Sequence, residues 1–87
     1  MSAWKRTEKP SASNGNVGEY RRRIGAFDLV VGSAGDFDLF ASVEARKSGV
    51  EIAIGWVIYA TLTDAVIAKA KRKAESLARR AGLAVPK

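Results

Sequence analysis

The chain has 87 residues, 47% of them hydrophobic, and a net charge of +6 from 15 lysines and arginines against 9 acids. That length suits one domain with a thin core, and the apolar content excludes a wholly disordered chain. It contains no cysteine and no histidine, which excludes disulfides, thiolate metal sites and the usual general base.

The charge is uneven. Residues 1–23 carry six basic and two acidic residues, residues 24–60 two basic and five acidic, and residues 61–87 seven basic and two acidic. The ends are therefore at +4 and +5 around a centre at −3, a layout that suits acidic partners or phosphates. Met1 to Arg6 are not followed by an apolar run, so no signal peptide is expected. The longest apolar stretch, Ile52 to Ala60, falls well short of the roughly 20 residues that span a bilayer. The expected setting is cytoplasmic, with no membrane partner.

Residues 1–17 read as a flexible basic tail, since Lys9 to Asn16 is polar and rich in turn formers. Trp4 stands out there: it either folds back onto the domain or anchors a partner. Residues 18–87 read as a single β-β-β-α domain. The first strand is expected over Tyr20 to Val31, with a turn at Gly32 to Asp36 that lacks the Lys-Ser/Thr ending of a phosphate loop. The second runs from Phe37 to Arg46, with Phe37, Leu39, Ala41, Val43 and Ala45 inside. Lys47-Ser48-Gly49 turns the chain into a third strand, Val50 to Tyr59. Its larger row, Val50, Ile52, Ile54, Trp56 and Ile58, is assigned to the core, and Glu51, Ala53, Gly55, Val57 and Tyr59 to the outside. Gly55 within this strand signals a bulge or a close backbone approach.

The apolar period then lengthens from 2 to about 3.6. Thr61 to Asp64 fit a helix start with Thr61 as cap, and Gly82 fits its left-handed end. Leu62, Val66, Ile67, Ala70, Ala74, Leu77, Ala78 and Ala81 line one side, and Lys69, Arg72, Lys73, Arg79 and Arg80 the other. The expected fold is α+β: an antiparallel three-stranded meander and one C-terminal helix packed on one face.

No serine has a histidine to activate it, and Asp28, Asp38, Glu44 and Glu51 fall on an open sheet face rather than in a cleft. The reading is a non-enzymatic binding protein, with no catalytic residue, cofactor or metal. Its expected protein-binding face carries Phe40, Val57 and Tyr59 beside Asp38, Glu44 and Glu51, and a second copy is one possible occupant. Arg21, Arg22 and Arg23, with Lys69, Arg72, Lys73, Arg79 and Arg80, are the candidates for contact with nucleic acid or an acidic partner.

Trp4, the hairpin, Gly55 in the third strand, the junction Thr61-Leu62-Thr63-Asp64-Ala65 and the alanine-rich helix resemble small proteins of bacterial viruses and mobile elements, anti-CRISPR proteins among them. The resemblance implies an inhibitor or modulator that binds a nucleoprotein complex. The element order is also similar to the arm-binding domains of tyrosine integrases, which read DNA with the sheet. Here Asp28, Asp38, Glu44 and Glu51 against Arg46 would repel phosphate from that face. The alternative function is a small DNA- or RNA-binding accessory protein that uses the helix and Arg21–Arg23.

Overall fold

The structure, a computed structural model, describes residues 4–8, 18–35 and 37–86. Five strands and one helix follow in chain order: β1 (Lys5–Glu8), β2 (Glu19–Ile24), β3 (Phe27–Ser33), β4 (Asp38–Ala45), β5 (Glu51–Ile58) and α1 (Asp64–Arg80). The strands form one antiparallel sheet in the order β1-β2-β3-β4-β5. The expected three-stranded meander is thus corrected to a five-stranded sheet with a C-terminal helix.

Two features account for the extra strands. The single strand expected over Tyr20 to Val31 is folded in two at Gly25-Ala26, where Ile24 pairs with Phe27. Gly25 takes φ +60, the left-handed backbone that two-residue hairpin turns require and side chains resist. β1 lies within the expected tail and pairs Lys5 with Arg21 and Arg6 with Tyr20. Its sequence, Lys-Arg-Thr-Glu, has no apolar alternation to announce a strand. Residues 1–3 and 9–17, the rest of that expected tail, lie outside the described residues.

The core sits between the sheet and α1. Leu29, Val31, Leu39, Ala41 and Val43 are fully buried there, facing Ala70, Ala74 and Ala78 at a spacing of one helical turn. The pairing of Leu39 with Val57, Ala41 with Gly55 and Val43 with Ala53 fixes which row of β5 joins them. It is the small row. The assignment of Val50, Ile52, Ile54, Trp56 and Ile58 to the core is therefore corrected: all five are exposed, and the last four lie on the opposite face. Steric fit decides this. A Cβ on Gly55 would come within 2.7 Å of Lys73 Cε and 3.4 Å of Leu77 Cδ1, so the strand under the helix has little room for a large side chain.

The helix cap lies two residues later than expected. Thr63, not Thr61, is the N-cap, and its hydroxyl accepts from the Val66 N–H at 3.3 Å. Gly82 closes the helix at φ +90, with its N–H donating to the Arg79 carbonyl and that of Leu83 to the Ala78 carbonyl. This is a Schellman end, which returns Leu83 against the core.

Candidate functional site

The sheet's outer face divides into two halves of different chemistry. On the β4–β5 half, Phe40 pairs with Trp56, Ser42 with Ile54 and Asp38 with Ile58. The Phe40 ring lies over Gly32 of β3, so close that a Cβ there would sit 2.7 Å from Phe40 Cε2. Phe40 is held down by this seat and is half-buried. The row beyond it on edge strand β5 has no such cover: Trp56 is 52% and Ile58 79% exposed.

The β2–β3 half is charged, and its charges are internally paired. Arg21 donates from Nε to Glu19 at 2.9 Å and from Nη1 to Asp28 at 3.1 Å and to Glu44. Arg46 reaches Asp28 from Nε at 3.3 Å and donates to the Gly25 carbonyl. Arg21 thus joins carboxylates from its own strand and from β3 and β4. Its guanidinium is held above its ordinary value first by the hydrogen bond to Glu19, so it stays charged. The Glu19 carboxyl is held below its ordinary value by the same bond, and further by the Thr7 hydroxyl, against a counteracting effect of burial.

The expected protein-binding residues are not brought together on one face. Phe40, Asp38 and Glu44 lie on the outer face, and Glu51 opposes Glu44 at its margin beside a bulge. Val57 and Tyr59 are on the helix side instead: Val57 belongs to the core, and Tyr59 packs edge-on against Phe37 with ring centroids 6.4 Å apart. Sequence reasoning missed Ile54, Trp56 and Ile58 as surface residues. The signal that could have found them is Gly55, whose parity with Val57 marks the row that passes under a close helix.

The Arg21–Arg23 run does not form a phosphate site either. Arg21 is taken up by the three carboxylates. Arg22 is 7% exposed and donates to Glu75 Oε2 at 2.6 Å and to the Pro86 carbonyl at 3.0 Å. Arg23 points the same way as Arg21 by strand alternation and is exposed. Trp4 folds back onto the domain, its indole N–H donating to Glu75 Oε2 at 3.0 Å. Lys71 closes this cluster, its ammonium 4.3 Å from the Tyr20 ring centroid and 5.9 Å from that of Trp4.

The helix cations are placed differently. Lys69, Arg72, Lys73, Arg79 and Arg80 are all exposed; Lys73 sits at the flank of α1 with its side chain over Gly55 of β5, and the other four are on the side of α1 turned from the sheet. Among the described residues none of the five forms an ion pair. The one acid in the middle of the helix, Glu75, is turned toward β2 and engaged there by Arg22 and Trp4. Among the described residues no cluster of acids is arranged to hold a metal ion, and no helix is long and apolar enough to cross a membrane. Comparison with known proteins finds no matching family model, no curated relative and no similar solved structure.

Proposed function

We propose that the protein is a non-catalytic binding protein that engages a nucleoprotein complex by laying the cationic face of α1 along the phosphates of its nucleic acid. The observation that carries this reading is that, among the described residues, Lys69, Arg72, Lys73, Arg79 and Arg80 form no ion pair, whereas Arg21, Arg22 and Arg46 each do. Lys69 to Arg80 spans about 17 Å of helix, the axial length of about five phosphates on one strand. Occupying phosphates that a complex's own subunits require is the physical basis for modulation or inhibition. The sheet face suits this contact less well, since Arg21 and Arg46 there are already engaged by Glu19, Asp28 and Glu44.

The test is fluorescence anisotropy of a labelled DNA duplex titrated with the full chain over a series of salt concentrations. Binding is expected at low salt, weakening steeply as salt rises because neutralised phosphates release counterions. Changing Arg72, Lys73, Arg79 and Arg80 together to Glu should abolish it with the fold intact, because all four are exposed. No binding at low salt, or equal binding by the quadruple variant, would remove the reading.

A further inference from the structure

The apolar row of β5 is too large to be incidental. Ile52 is 46%, Ile54 43%, Trp56 52% and Ile58 79% exposed. Together these four residues expose roughly 500 Å², at the upper end of what a monomeric protein leaves in one apolar patch. We propose that a second copy of this chain covers the row, the two sheets stacking face to face about a two-fold axis with Trp56 of each copy against the isoleucines of the other. This dimer stands independently of the reading of α1 as a phosphate-binding face.

Charge selects the partner. A chain of net charge +6 repels its own copies. The surplus sits on α1, whereas on the outer sheet face Arg21 and Arg46 are offset by Glu19, Asp28 and Glu44. With most of its charges paired internally, this face is where two copies meet at least electrostatic cost. Area agrees. A standard interface takes about 800 Å² from each partner, about 65% of it apolar between identical chains, close to what this row and its margin offer.

The edge of β5 fits a second copy less well. Antiparallel pairing of two β5 strands about Gly55 would bring together the Lys73 side chains that lie over that glycine in each copy. Face-to-face stacking instead leaves the two basic helices on opposite outer sides, far from each other. Residues 9–17 are a poor cover for the row, since Lys-Pro-Ser-Ala-Ser-Asn-Gly-Asn-Val offers only Pro10, Ala12 and Val17 as apolar groups.

Sedimentation equilibrium of the full chain across the micromolar range tests this. The expected result is a mass twice the 9.3 kDa of the chain, with association tightening as salt rises, because salt screens the repulsion of like-charged copies. That salt response is opposite in sign to the one expected for DNA binding, so either reading can fail alone. Trp56→Ser and Ile58→Asp should each weaken association by at least about 30-fold while the circular dichroism spectrum is unchanged. In a Trp4→Phe background, Trp56 fluorescence should shift to the blue as the dimer forms. A chain that stays monomeric throughout, a dimer that survives both substitutions, or a blue-shifted Trp56 in the monomer would each overturn the proposal. The last result would mean that the chain covers its own row.

Discussion

Arg22 on β2 and Glu75 on α1 meet at 2.6 Å with 8% and 18% of their side chains exposed, which ties the sheet's charged half to the helix. Sequence spacing gives no hint of this pair, 53 residues apart. The pair is integrated with its surroundings: Trp4 donates to the same carboxylate oxygen, and Arg22 also holds the Pro86 carbonyl.

Removing the arginine leaves a largely buried carboxylate with only the Trp4 indole for a partner. Arg22→Ala should therefore destabilise the domain by about 3 kcal/mol, the lower end of the cost of breaking a buried pair. Urea unfolding measures it. A variant with an unchanged midpoint would show that Glu75 finds another partner or turns to water.

Trp56 and Leu29 should respond in opposite ways to truncation. Leu29 is fully buried, so Leu29→Ala should cost about 2–5 kcal/mol through lost contacts and a cavity. Trp56 is half exposed on the outer face, so Trp56→Ala should cost the monomer no more than about 1 kcal/mol. Tyr59→Ser should behave like a core change, since Tyr59 packs on the helix side against Phe37. Unfolding midpoints of the three variants at low protein concentration decide the point.

The error over β5 has a definite physical source. Both of its rows alternate correctly, and weighing them by hydrophobicity puts Trp56 and three isoleucines inside. What sets the choice is the approach distance of α1, whose contact stripe is Ala70, Ala74 and Ala78. An alanine stripe brings the helix close and calls for small partners, which Ala41, Ala53 and Gly55 supply. The elements β4, β5 and α1 were legible because each has a sustained period. The break at Gly25-Ala26 was hidden because the alternation runs on through the turn, and β1 was hidden because pairing with β2, not its own pattern, makes it a strand. The exposure of the helix cations was legible from their spacing, but not that Lys73 lies over Gly55 of β5. The roles of Arg21 and Arg22 were not, because consecutive strand residues face opposite ways and meet acids from distant elements.

Acid should weaken the charged half of the sheet selectively. Glu19 is held below its ordinary value of 4.5, first by its hydrogen bond with Arg21. A carboxyl lowered in the folded state contributes stability that is present above the unfolded value and is lost as pH falls through the folded one. Wild-type stability should therefore decline as pH drops below 4.5. Arg21→Gln should be less stable at neutral pH, and the gap between it and wild type should narrow through that acid range. Urea midpoints of both proteins over a pH series show the narrowing. A gap constant with pH would mean that the Glu19–Arg21 bond contributes nothing.

Single-charge changes can locate the phosphate contact more finely than the quadruple variant. For duplex DNA the slope of log affinity against log salt is about −0.9 per phosphate neutralised, so each cation that touches a phosphate contributes about one unit. Arg72→Gln, Lys73→Gln and Arg79→Gln should each flatten the slope by about that amount and weaken binding similarly for unrelated duplex sequences. Arg21→Gln should leave the slope unchanged, because its guanidinium is already spent on Glu19, Asp28 and Glu44. Arg23→Gln provides the sharper comparison, since Arg23 is exposed on the sheet side rather than the helix side. If DNA lies along α1, the slope of that variant should match wild type. If Arg23→Gln flattens the slope while the helix variants do not, the nucleic acid follows the sheet and the helix stripe is only a solvated face.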